Sequence, residues 1–449
     1  MCAAWSRQVL QQAGMTESAR IEAPPAAPAG PSETARRGPA ARFTARWAAR
    51  GEARGGLRSK PDPCPAGAAG GASRTRDGCG RDALAQERRG RYSCGSLQGD
   101  KLILASLLGN YPRIGDRPPE QALRRALQRA DREEVPPSAI AEAEDEMTRL
   151  ALREQAEAGL DIMTDGQIRW HDPVSHVARG LTGFRIEGLL RYFDTNTYYR
   201  QPAAVGPIGR ERPVLVEAFR FAAGEAAPRP VKAIVTGPLT LSRLSRDARG
   251  RGRHHLTLEV ASALNRELKD LEAAGADLIQ VDEPAPAWLP ADADLLRLAM
   301  RRLVAGLTSA RVILSITFGD ATPLLAELAT LPVALVGLDV LAALGRMGAA
   351  GATCDGAADL GTRLASVIPP GTGLLLGVID GRNTRLEEPN ATYESRVRPI
   401  LAALRKGSEP VPEVHLAPNH GLEFLPRDAA RAKMTALAAL RDRARQEFA

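Results

Sequence analysis

The sequence predicts an α/β protein: a (β/α)8 TIM barrel with an insertion after its second strand and a disordered N-terminal extension. Three observations predict it. Eight short apolar, β-rich runs recur between residues 101 and 421. Helical stretches separate or follow them, for example at 139–158, 255–274, 294–306, 322–330 and 428–446. Nearly every run ends in a polar residue or glycine on its C-terminal side. Runs apolar on both faces, each followed by a helix, build a parallel sheet. Eight such units in about 350 residues point to a closed barrel. An open doubly wound sheet is the rival, but no G-x-G-x-x-G follows the first run.

Each run carries its own polar end. "KLILASLLGN" (101–110) ends in Asn110, and "LDIMTDG" (160–166) contains Asp165. "VKAIVTG" (231–237) contributes Thr236, and "DLIQVDEP" (277–284) contributes Asp282 and Glu283. "RVILSITFG" (311–319) gives Thr317, "ALVGLDV" (334–340) gives Asp339, and "GLLLGVIDG" (373–381) gives Asp380. "EVHLAPNHG" (413–421) closes with Asn419 and His420. In a barrel these ends converge on one face, where active sites are built. Five carboxylates at such ends predict a site. The insertion, roughly 167–230, holds 7 of the chain's 18 aromatic residues within 184–221. Its segments "GFRIEG" and "RYFDTNTYYR" alternate like a β-hairpin. Either the aromatics pack the insertion's own core, or they form a lid that holds a flat ligand.

Composition narrows the classes. Residues 1–100 contain 21 Ala, 14 Gly, 8 Pro and 15 Arg but only 7 Ile, Leu, Val and Phe together. That little apolar surface does not offset the entropy of ordering the chain. The segment reads either as an organellar transit peptide or as an upstream stretch translated from a start codon that is not the natural one. Its Gly and Pro break the amphipathic helix that a transit peptide uses. Cys2, Cys64, Cys79 and Cys94 lie there at spacings that match no zinc module. The formal charge of +7 also resides there entirely, because residues 101–449 carry 44 basic and 44 acidic side chains. The body has no global basic field, which argues against a nucleic-acid partner. No run of eighteen apolar residues marks a membrane span. One cysteine, Cys354, remains in the body, as expected for a reducing cytoplasm. The domains expected are therefore 1–100, the extension, and 101–449, the barrel.

Particular segments carry a resemblance. "LLGNYPRIGD" (107–116), "EQAEAGLDIMTDGQIRW" (154–170), "VKAIVTGPLTLSRLSRD" (231–247), "LEAAGADLIQVDEPAPA" (271–287) and "NHGLEFLPRDAARAKM" (419–434) resemble the cobalamin-independent methionine synthase family. The resemblance spans about 100–445 and implies (β/α)8 barrels. It also implies methyl transfer to the thiol of homocysteine, from methyl-folate or from a methylated corrinoid, the latter with a corrinoid protein as possible partner. By the same resemblance, Asp282 binds the substrate ammonium. Alternation independently sets Gln280 and Asp282 on one face of the strand and Glu283 on the other. Gly109 and Asn110 match the family's backbone clamp for the amino acid. Gln167 stands where the family usually has Glu, which removes one charge from the ammonium site. Arg169 and Asp172 match a basic and an acidic position, and Arg169 can pair with a carboxylate or phosphate.

The family activates its thiol with zinc. Here the first ligand pair falls on Ile316 and Phe318, neither of which can ligate. The Glu position falls near Asp339 and the final Cys on His420, leaving two candidates where a catalytic site keeps three. "SITFGD", "VGLDVL" and "GVIDGRN" look more like the zinc-free amino-terminal barrel of the two-barrel synthases. The metal site therefore stays open, and His420 is alternatively a general base for the thiol or a structural hydrogen-bonding residue. His420 and Asp339 are the catalytic candidates. Arg382, leaving the seventh strand, either contacts a carboxylate or phosphate tail or braces the loop against Asp380. The expected activity is S-methyl transfer. Two alternatives stand beside it: a non-catalytic amino-acid-binding barrel, and a uroporphyrinogen-decarboxylase-like or corrinoid-methyltransferase reaction.

Overall fold

The computed structural model describes residues 103–193, 195, 197–346, 353–406 and 413–448. The expected extension and its four cysteines lie outside the described residues. In chain order the strands are β1 (Ile103–Ala105), β2 (Thr182–Arg191), β3 (Tyr198–Gly209), β4 (Ala233–Thr236), β5 (Arg246–Asp247), β6 (Leu278–Asp282), β7 (Arg311–Ile316), β8 (Leu335–Asp339), β9 (Gly373–Ile379) and β10 (Val414–Pro418). Seven of them form one parallel sheet in the order β1-β10-β9-β8-β7-β6-β4.

The second apolar run forms no extended strand. Ile162 and Met163 make isolated parallel bridges to Ser106 and Val231. These two residues link the β1 edge to the β4 edge and bring the sheet round into a ring. Side chains explain the shortness, because they compete with the ladder for backbone groups. Asp161 accepts from the Ala105 backbone N–H (2.9 Å), and Gln155 accepts from that of Thr164 (2.9 Å). The insertion forms the second sheet, in which β2 pairs antiparallel with β3, and β3 parallel with β5.

Alternation along the parallel strands sorts two cores. Ile279, Val281, Val312, Leu314, Val336, Leu338, Leu374, Leu376, Val414 and Leu416 belong to the large core shared with the helices. Their sequence neighbours Ile313, Leu335, Leu375 and Ala417 pack together with Leu108 as a separate inner cluster. Side chains of period two pointing to opposite faces require this partition once both faces are covered. The helices Ser138–Glu157 and Arg253–Ala273 end alike: "AGLD" and "AGAD" place Gly159 (φ 84°) and Gly275 (φ 95°) in the left-handed region that stops a helix.

Two buried ionic groups fix the frame. Glu283 is fully buried and caps the helix Pro238–Arg243. It accepts from the Leu239 N–H (2.8 Å), the Thr240 N–H (2.7 Å) and the Thr240 hydroxyl (2.6 Å). Burial raises its carboxyl to about 7 despite these donors. The second group is Glu154. It accepts from Tyr111 Oη (2.8 Å), Arg427 Nε (2.9 Å) and Arg431 Nη1 (2.7 Å), which ties the final helix Arg427–Phe448 to the loop after β1.

Gly237 lies against the Glu283 carboxylate, and a Cβ there would stand 2.2 Å from its Cδ. Gly237→Ala is predicted to destabilise the protein by about 1–3 kcal/mol through overpacking. Urea unfolding measures it, and an unchanged midpoint and slope would show that the cap tolerates displacement.

Candidate active site

The C-terminal ends of the parallel strands surround a cavity lined by Leu108, Asn110, Pro173, Tyr192, Thr236, Asp282, Pro284, Thr317, Phe318, His420, Gly421 and Glu423. Register sets its wall: Thr236 on β4 is level with Asp282 on β6, and Asp282 with Ser315 on β7. Asp282 faces inward because Ile279 and Val281 face the helices.

Beneath Asp282 runs a polar relay. Lys232 is 1% exposed, and its ammonium donates to Ser106 Oγ (3.0 Å) and Gln280 Oε1 (2.7 Å). This leaves the Gln280 amide nitrogen to donate to the Leu108 carbonyl (2.6 Å) and to Asp282 Oδ1 (2.7 Å). A lysine can only donate, so the amide orientation is fixed. Burial lowers the Lys232 ammonium to about 7 and raises the Asp282 carboxyl to about 7.

Gly109 and Asn110, expected to clamp an amino acid, lie in the loop after β1. Asn110 lines the cavity and donates from Nδ2 to Glu423 Oε1 (3.1 Å). The Gly109 carbonyl accepts from Thr164 Oγ1 (3.2 Å). A Cβ on Gly109 would meet Gln167 Oε1 at 2.8 Å, so Gln167 presses on this loop. Gln167 is 3% exposed, and neither amide atom has a hydrogen-bond partner. Such a group costs desolvation energy until something pairs with it.

His420 follows β10 and is 4% exposed. Its Nδ1 lies 2.7 Å from the Gly421 carbonyl. A carbonyl only accepts, so Nδ1 carries the hydrogen and Nε2 of the neutral ring is an acceptor. The Phe318 ring packs edge-on at 3.9 Å. Phe318 has φ 66°, a left-handed conformation that costs a non-glycine residue about 1–3 kcal/mol. It meets Tyr192 (5.3 Å) and Phe193 (6.0 Å) from the hairpin turn, and Phe193 stacks on Trp288 (5.8 Å). The insertion thus reaches the barrel mouth, where its Tyr192 lines the cavity together with Phe318.

The other expected residues lie farther out. Asp339 is buried and accepts from the Ala342 N–H (2.9 Å) and from Asn419 Nδ2 (3.2 Å). It supports the turn bearing His420 and does not line the cavity. Burial raises its carboxyl to about 6. Arg169 pairs with Asp145 and lies 5.0 Å from the Phe221 ring. Asp172 accepts from the Val174 and Ser175 N–H groups and from that of Arg200 (3.3 Å), holding the hairpin's return. Arg382 approaches the outer face of Phe318 (5.9 Å), and its backbone N–H donates to Asp380 (2.8 Å). Sequence reasoning missed Lys232 and Glu423. A lysine inside the run "VKAIV" was the available signal for the first; nothing but proximity to His420 marked the second.

The residues at the expected zinc positions do not fit a zinc ion. Ile316 and Phe318 have no donor atom, and Asp339 and His420 each hold other partners. Among the described residues no group of three or more His, Cys, Asp or Glu is placed to hold a metal ion.

A parallel α/β ring with a polar, carboxylate-bearing cavity at its strand ends defines a barrel enzyme architecture. Part of the chain resembles known proteins. Residues 111–297 match the family model described as "Cobalamin-independent synthase, Catalytic domain". A methionine synthase of Saccharolobus solfataricus is 30% identical over 219 residues, 49% of this chain and 64% of the relative. That of Sulfurisphaera tokodaii is 33% identical over 184 residues, 41% of this chain and 52% of the relative. The chain thus spans less than two thirds of the length of these curated relatives. Over residues 111–297 the chain is similar to the catalytic domain of cobalamin-independent synthases. The fold is shared with a B12-independent methionine synthase from Shewanella sp. W3-18-1 solved with selenomethionine. That match has a TM-score of 0.61 and 21% identity, covering 76% of this chain and 98% of that one. It is also shared with a putative vitamin-B12-independent methionine synthase from Listeria monocytogenes, with a TM-score of 0.56 and 15% identity over 76% of this chain and 98% of that one. No helix among the described residues is long and apolar enough to cross a membrane.

The raised Asp282 carboxyl has a signed consequence. Between its unfolded value near 4 and about 7, the folded state binds the extra proton, so this group's contribution to stability falls as pH rises. Asp282→Asn is predicted to gain stability relative to the wild type across that window. Unfolding free energies at pH 4, 5, 6 and 7 test it; a difference independent of pH would place the Asp282 carboxyl at its ordinary value.

Proposed function

We propose that this chain is an S-methyltransferase that moves a methyl group to the thiol of homocysteine, giving methionine. The observation that carries the reading is Asp282, an inward carboxylate aligned by Gln280 beside Asn110, in a family whose "DEP" aspartate grips an ammonium. A carboxylate in a site of reduced dielectric pairs strongly with a charged amine. The Shewanella relative's complex with selenomethionine supports an amino acid bearing a sulfur-like atom as occupant.

The thiol proton passes to Nε2 of His420, whose other nitrogen is held by the Gly421 carbonyl. The sulfur electron pair then forms the S–CH3 bond as the donor's bond to the methyl breaks and the donor leaves with that pair. No step passes through a metal, because Ile316 and Phe318 offer no ligand. The aromatic cluster of Tyr192, Phe193, Phe318 and Trp288 is the face over which the donor approaches, whether methyl-folate or a methylated corrinoid. Asp339 acts through Asn419 as a positioning residue. A second reading is an amino-acid-binding barrel without turnover, favoured by Phe318 and Ile316 at the former ligand positions.

Methionine formation with homocysteine, supplied separately with methyl-folate and methylcobalamin, tests the proposal. Asp282→Ala is expected to lower kcat/KM by roughly 100-fold or more, the loss for removing one partner of a buried charge pair. Wild-type activity in that variant would remove Asp282 from the site. Homocysteine binding without turnover on either donor would establish the second reading.

A further inference from the structure

Glu423 supplies a carboxylate to the cavity that the family pattern does not account for. It follows β10 by five residues and reaches the cavity from a strand that does not neighbour β6. Its Oε1 accepts from Asn110 Nδ2 (3.1 Å), while its Oε2 is buried without a hydrogen-bond partner. Gly421 makes the room: a Cβ there would stand 2.2 Å from that same Oε2. An anionic oxygen withdrawn from water with no donor is expensive, and a cationic ligand removes the cost. The nearby Lys232 ammonium is committed to Ser106 and Gln280. Gln167 is neutral at the position where the family usually carries a charge.

We propose that Glu423 is the second ammonium-binding carboxylate of this site. Its Oε2 and Asp282 grip the α-ammonium of the acceptor amino acid from two sides, restoring the charge that Gln167 lacks. The inference rests on the reading that the acceptor is an amino acid. After burial, which is the main cause, the Glu423 charge adds to the upward pressure on the Asp282 carboxyl, so the two anions sense one another. An ammonium between them relieves that repulsion. Specificity follows: the site selects acceptors by their amine more than by their thiol.

The test uses the full chain and two probes, L-homocysteine and 4-mercaptobutanoate, which lacks only the amine. Calorimetric Kd values are compared for wild type, E423Q, D282N and the double variant, with thermal melts to confirm folding. E423Q keeps an acceptor for Asn110 and is expected to weaken L-homocysteine by roughly tenfold or more, leaving 4-mercaptobutanoate unchanged. In the D282N background its effect shrinks, as for two groups sharing one partner. Unchanged L-homocysteine affinity in E423Q, or equal weakening of both probes, overturns the inference alone. A wild type that binds no L-homocysteine overturns the functional reading and this inference with it.

Discussion

A single ammonium sealed inside the barrel governs the floor of the site. Lys232 cannot accept a hydrogen bond, so Gln280 turns its oxygen down and its nitrogen up, and the nitrogen meets both the Leu108 carbonyl and Asp282. One buried charge thereby couples three strand positions that are far apart in sequence: Ser106 and Leu108 beside β1, Lys232 at the start of β4, and Gln280 on β6. The inner cluster of Leu108, Ile313, Leu335, Leu375 and Ala417 excludes water around them, which makes this donor chain stronger than it would be at the surface.

The architecture was legible because alternation and repetition are global signals. Runs apolar on both faces could only be interior strands, and seven of the eight appear as strands of one parallel sheet. The second run is reduced to two bridges, since the Ala105 N–H goes to the Asp161 side chain and the Thr164 N–H to that of Gln155. Strand parity also separated Asp282, facing the cavity, from Glu283, which caps a helix. What the sequence hid were contacts between segments with no periodic relation. The carboxylate that Arg169 pairs with is Asp145, on the helix Ser138–Glu157, which no periodic pattern links to it. Asp339 and His420 looked like a pair, yet Asn419 stands between them, a detail set by the turn after β10.

The surroundings of His420 are set by aromatic packing. Phe318 occupies a strained left-handed backbone position and places its ring against His420 and the rings of the hairpin turn. Beside it, His420 keeps the tautomer set by the Gly421 carbonyl. These rings continue toward Trp288, on which Phe193 stacks.

The Glu154 cluster joins the loop after β1 to the last helix through Arg427, 273 positions after Glu154 in the chain. During synthesis, Tyr111 and its loop emerge early and wait for that guanidinium. The loop after β1 is therefore fastened only once residue 427 has been made, and a chain stopped before it would leave Glu154 and Tyr111 without their guanidinium partners.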